Sequence, residues 1–132
     1  MQIAVGVFLI AMGVGIAGIW TLDIARNPEI DRSRGLVRSR DRAGSVMLPH
    51  WIAEYATALL CLVGGLGLVL GWTATGWAWT VPLALGALSY TSLNSLGWVL
   101  ADRTRASYGV PMVIGLAGAL IAILLLLSGS LM

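Results

Sequence analysis

The sequence predicts an all-α integral membrane protein: a four-helix antiparallel bundle with both termini outside and its Arg-rich loops cytoplasmic. Three observations carry this reading. Ten of the fourteen formally charged side chains lie between positions 23 and 42, three more between 102 and 105, and Glu54 stands alone. The stretches 1–22, 55–101 and 106–132 are uncharged, and the middle one is long enough to cross a bilayer twice at about 20 residues per crossing. The composition, 58% hydrophobic and 11% charged, excludes an ordinary soluble domain. At 132 residues there is room for a single transmembrane domain, 1–132.

The first helix is expected over about 3–21. Gly6, Gly13, Gly15 and Gly18 would weaken a soluble helix, but between membrane helices small residues allow close backbone approach. Trp20 sits where an aromatic ring favours the interface. No basic region precedes the apolar run, and no small-residue cleavage site follows it, so the stretch reads as a retained helix rather than a signal peptide.

Residues 23–49 form the long loop. Asn27-Pro28-Glu29 has the form of a helix start, and IDRSRGLVRSRDR (30–42) mixes Arg with Ile30, Leu36 and Val37. Two readings stand: an amphipathic helix on the membrane surface, or, because of Gly35, a flexible loop. Four acids set against six Arg here imply only modest attraction to anionic lipid.

A second helix is expected over about 50–71 behind Pro49. A third is expected over about 76–100, after a turn whose Trp72, Trp77 and Trp79 read as an aromatic belt. The fourth is expected over about 108–128, with Pro111 in its first turn, where proline is tolerated. Four passes put the Arg loops at 23–49 and 101–107 on one side. The positive-inside rule assigns that side to the cytoplasm, and the reading is of a bacterial cytoplasmic-membrane protein. GIWTLDIAR (18–26) echoes GWVLADRTR (97–105) with one residue slipped; a duplicated hairpin and ordinary interface chemistry both account for it.

The candidate chemistry is polar and expected inside the bilayer. His50, Glu54, Thr57, Cys61 and Gly64, spaced by four, three, four and three, make one narrow helical stripe that should face inward. The third helix has its own stripe of Gly86, Tyr90, Asn94 and Gly97, with Thr91 alongside. Depths counted from the shared loop end bring His50, Glu54, Thr57, Tyr90 and Asn94 together, with Asp23 and Tyr108 at the rim. A lone acid costs about 2.5–3.5 kcal/mol at the bilayer centre and less near its edge. Glu54 therefore needs a proton, a hydrogen-bond partner, an Arg or water. It is read as a ligand or proton site, set against an equal reading of interhelical packing and anchoring.

Other chemistry is set aside. Eight Arg without Lys, concentrated in loops, suit a membrane border better than nucleic acid. Cys61 is the only cysteine, so the chain has no internal disulfide. His50 and Glu54 could hold one side of a metal site with Asp23 or Asn94, but no further ligand spacing supports one, and no metal or cofactor is expected beyond a bound lipid or quinone. No strands are expected, and no complete catalytic set is present.

The segment PHWIAEYATALLCLVGGLG (49–67) resembles the second helix of DoxX-like small bacterial membrane proteins, in which an acid precedes a Leu- and Gly-rich run. The resemblance covers this segment and implies a four-helix fold. Some members are linked to quinone or thiol oxidation. The placement of Arg and Lys around the first helix and the long Arg-rich loop depart from that family. Three functions are carried forward. The first, favoured by the lack of a catalytic set, is a non-catalytic accessory or partner-binding bundle with an intramembrane polar pocket, within a homo-oligomer or larger membrane complex. The second is an oligomeric small transporter or channel with Glu54 as coupling acid. The third is a quinone- or lipid-binding redox component.

Overall fold

The computed structural model describes residues 1–26, 30–31, 36–37, 45–46, 48–71, 79–100 and 106–130. Four helices dominate it: α1 (Gln2–Arg26), α2 (Leu48–Leu70), α3 (Thr80–Leu100) and α4 (Gly109–Leu127). A short 3-10 turn, Ala106–Tyr108, leads into α4. Three helices are long and apolar enough to cross a membrane: α1, α2 from Pro49 onward, and α4. The expected fourth crossing, α3, is also 21 residues long. It falls short in apolarity because Ser89, Tyr90, Thr91, Ser92, Asn94 and Ser95 crowd its second half.

Each helix buries one face. In α1, Val5, Leu9, Gly13, Ile16, Trp20 and Asp23 recur every three or four residues. Helix α1 runs five residues beyond the expected end, so Asp23 lies within it. Neighbouring helices run antiparallel, because pairings step in opposite directions. Gly6 meets Gly65 and Gly13 meets Ala58; Glu54 meets Ser95 and Gly64 meets Ala84; Ser92 meets Gly115 and Val99 meets Gly109. The core holds Leu9, Ile16, Ala58, Cys61, Ala84, Leu85, Leu88 and Ala119.

Glycine sets the α1–α2 distance. A Cβ on Gly65 would stand 2.6 Å from the Gly6 carbonyl oxygen, and one on Gly13 would stand 2.8 Å from that of Ala58. No side chain fits there without separating the helices. Two other glycines end helices in the left-handed region, Gly71 (φ 65°) after α2 and Gly129 (φ 72°) after α4. After α4, the Ser130 N–H donates to the Leu125 carbonyl and the Gly129 N–H to the Leu126 carbonyl, which satisfies the last turn.

The long loop corrects two expectations. It holds a small antiparallel sheet: β1 (Ile30–Asp31), β2 (Leu36–Val37) and β3 (Ser45–Val46), in that order. Ile30 pairs with Val37 and Asp31 with Leu36; Leu36 pairs with Val46 and Val37 with Ser45. Neither the surface helix nor the absence of strands holds. Ile30, Val37 and Val46 are β-branched and favour extended backbone, and the Arg–Ser alternation around them has no helical period. The side chains of Arg32, Arg34, Arg38, Arg40, Arg42, Arg103 and Arg105, and the Trp72 and Trp77 turn, lie outside the described residues.

Candidate functional site

The end of the assembly from which the long loop departs gathers polar groups from α1, α2, α3 and the turn that leads into α4. Helix α2 begins at Leu48, so Glu54 lies about 9 Å along its axis; Ser95 lies about 7.5 Å back from the end of α3. The expected inward stripe of α2 is inward: His50, Glu54, Thr57, Cys61 and Gly64 are all buried, and Ile52, Leu59 and Leu70 on the other side are exposed. Only 1% of Glu54 is exposed.

The Ser95 hydroxyl donates to Glu54 Oε1 at 2.5 Å. The same oxygen lies 3.6 Å from His50 Nε2, one helical turn away. On the other side of the imidazole, the Asn94 amide donates to His50 Nδ1 at 3.1 Å. Nδ1 then serves as acceptor, and the neutral ring carries its proton on Nε2, toward Glu54. The Trp20 ring meets His50 edge-on with centroids 4.9 Å apart, and Trp98 lies 5.6 Å from the imidazole. Above Trp20, the Tyr108 hydroxyl donates to Asp23 Oδ1 at 2.9 Å, which ties the approach to α4 to the end of α1.

Several buried polar atoms in this region have no hydrogen-bond partner: Glu54 Oε2, His50 Nε2, Trp20 Nε1 and Trp51 Nε1. The Trp20 indole lies beside the Glu54 carboxyl without a well-formed hydrogen bond to it. Seven-residue steps from the Gly6–Gly65 and Gly13–Ala58 contacts place Trp20 and Trp51 at one level. Buried polar atoms are nearly always paired, so these unpaired indole and imidazole N–H donors, at the level of a carboxyl with one unpaired oxygen, mark the candidate site. Ser95, Glu54 and His50 do not form a nucleophilic triad, because the carboxyl rather than the imidazole contacts the serine. No cluster of three or more His, Cys, Asp or Glu able to hold a metal occurs among the described residues.

Of the five candidate residues, the structure joins His50, Glu54 and Asn94. Thr57 is buried on the stripe, but its hydroxyl donates to the Ala53 carbonyl of its own helix at 2.8 Å. Tyr90 is 69% exposed and lies away from the centre. The stripe chosen on α3 was the wrong one. Gly86, Tyr90, Asn94 and Gly97 are exposed, while the buried face carries Val81, Leu85, Leu88, Thr91, Ser92 and Ser95. Asn94 lies at the border and reaches His50 from there. Ser95, Trp20, Trp51 and Trp98 were missed as site residues. Ser92 and Ser95, continuing an apolar line at helical spacing, are the available signal; Trp20 reads from sequence as an interface ring, and nothing there singles out Trp51 or Trp98.

No protein family, curated protein or solved structure matches the chain. The site's chemistry therefore rests on its own geometry. It offers N–H donors to a carbonyl or ether oxygen and an acceptor to a hydroxyl. Ser95→Ala removes the one bond that Glu54 Oε1 accepts. A fall in stability of about 1–3 kcal/mol is expected in reversible unfolding, the penalty for a buried acceptor left unpaired.

Proposed function

We propose that the chain is a small integral membrane protein, a four-helix bundle with both termini outside and its Arg-rich loops in the cytoplasm. It works by binding the oxygen-bearing head of a membrane amphiphile, a lipid or a quinone, at Glu54. The observation that carries this reading is the set of buried, unpartnered atoms at one end of the bundle: the acceptor Glu54 Oε2 and the donors His50 Nε2, Trp20 Nε1 and Trp51 Nε1. A head bearing both a carbonyl and a hydroxyl satisfies donors and acceptor together, and aromatic walls with a few placed polar groups are the usual form of a ligand site. The bilayer delivers such molecules to helices of this apolarity. Binding without turnover accords with the pocket-bearing accessory role.

The test is to purify the protein from bacterial cytoplasmic membranes, extract it with organic solvent and identify the extract by mass spectrometry. About one amphiphile per chain is expected, and its mass separates quinone from lipid. Protein that carries no amphiphile beyond the detergent belt would overturn the reading.

A second reading, with Glu54 as the coupling acid of an oligomeric transporter, draws on the same open carboxyl oxygen beside His50. Proteoliposomes separate the two. Coupling predicts proton-driven flux that Glu54→Gln abolishes, and binding alone predicts none.

A further inference from the structure

We infer that a lipid-soluble ligand reaches Glu54 sideways, between α1 and α4, beneath a latch formed by Tyr108 and Asp23. This rests on the amphiphile-binding reading and adds its route of entry.

The four sides of the bundle are unequally closed. Helix α1 is locked to α2 by backbone contact at Gly6–Gly65 and Gly13–Ala58. Between α1 and α4 the packing is thin. Met12 reaches Gly115, Phe8 lies over Gly118, and beside Phe8, toward the end of α1 away from Asp23, an almost wholly apolar cavity of about 240 Å³ opens between the helices, lined by Val5, Ile121, Ala122 and Leu125 among others. A methionine and a phenylalanine lying on glycines are side-chain closures that rotamer changes can part, unlike the glycine-to-backbone contacts of α1 with α2.

At the loop end the same seam is shut by the Tyr108–Asp23 hydrogen bond, and the Tyr108 ring lies 6.2 Å from the Trp20 ring. The Trp20 N–H is buried and unpartnered, and on the amphiphile-binding reading it is one of the donors to the ligand head. The latch thus sits where the thinnest side of the bundle meets the polar centre. Parting it exposes Trp20 and Glu54 to the bilayer while the α1–α2 contact stays intact.

The test uses the full chain in lipid nanodiscs and two carboxyl reagents, with peptide mapping to separate Glu54 from Asp23. Dicyclohexylcarbodiimide enters from hydrocarbon, and a cationic water-soluble carbodiimide enters from the loop side. The lipid-soluble reagent is expected to modify Glu54 and the water-soluble one to leave it untouched. Tyr108→Phe keeps the ring against Trp20 and removes only the hydroxyl; it is expected to speed modification about tenfold, the effect of one lost hydrogen bond of ordinary strength. Thr21→Val, which removes the 2.7 Å Thr21–Tyr55 bond on the α1–α2 side, leaves the rate unchanged and so excludes general loosening.

An unchanged rate in Tyr108→Phe, an equal gain in Thr21→Val, or faster modification by the water-soluble reagent would each overturn the lateral route. The measurements use protein stripped of its bound amphiphile, with none added, so they read access alone. A protein that carries its amphiphile but fails them keeps the binding site and loses only this entry path.

Discussion

Glu54→Gln is expected to strip the protein of its bound amphiphile while leaving the fold in place. Gln has the same shape, and its carbonyl oxygen still accepts from Ser95, which now bonds Oε1 at 2.5 Å. The second carboxyl oxygen, which has no partner, becomes an amide NH2. That turns the acceptor of the site into another donor among the indole and imidazole N–H groups, and a ligand hydroxyl then meets a donor. A buried hydroxyl left facing a donor costs about 1–3 kcal/mol, so affinity should fall by roughly 5- to 150-fold. Titration of the amphiphile into wild type and variant in nanodiscs measures this, with circular dichroism to confirm folding. Equal affinity would remove Glu54 from the site. A variant that binds normally but unfolds more easily would assign the acid to packing.

The other large effect is steric. Gly65→Leu is expected to separate α1 from α2 and to destabilise the protein by about 3 kcal/mol or more, at the upper end of the range for overpacking. The reason is local. A Cβ at position 65 would lie 2.6 Å from the Gly6 carbonyl oxygen and 3.0 Å from the Ile10 backbone nitrogen, and backbone cannot give way as a flexible side chain can. Gly86→Leu is the matched control, because nothing lies within 4 Å of a Cβ there. Reversible unfolding in mixed micelles should show a loss for Gly65→Leu and little change for Gly86→Leu. Equal responses would mean that α1 and α2 do not meet as described.

What the sequence disclosed and what it concealed follow from two kinds of signal. Long uncharged stretches between clustered charges are a strong signal, and they placed all four helices to within a few residues at most ends. The α2 stripe was legible because Ile52, Leu59 and Leu70 are large and apolar opposite His50, Glu54 and Cys61, so only one face could turn inward. Helix α3 offered no such contrast. Its polar residues occur on both sides, Tyr90 and Asn94 on one and Thr91, Ser92 and Ser95 on the other. The inward line starts with the large apolar Val81, Leu85 and Leu88 and continues through Thr91, Ser92 and Ser95, so the apolar line and not the size of the polar groups marks the buried face. The loop sheet was concealed for a different reason: strands of two residues are too short to show alternation. Trp20 is buried inside the bundle instead of standing in an interface belt, because position along a helix does not by itself separate an interface ring from an inward one.

The site can be tested most directly through its own indoles. With the side-chain nitrogens of the six tryptophans labelled with 15N, each contributes one N–H resonance, assigned by single Trp→Phe substitutions. When the amphiphile is added in nanodiscs, the Trp20 and Trp51 resonances, whose N–H groups are buried and unpartnered, are expected to move downfield as they gain an acceptor. That of Trp79, 71% exposed at the far end of α3, is expected to stay in place. If Trp79 moves while Trp20 does not, the ligand sits elsewhere and the polar centre around Glu54 is not its binding site.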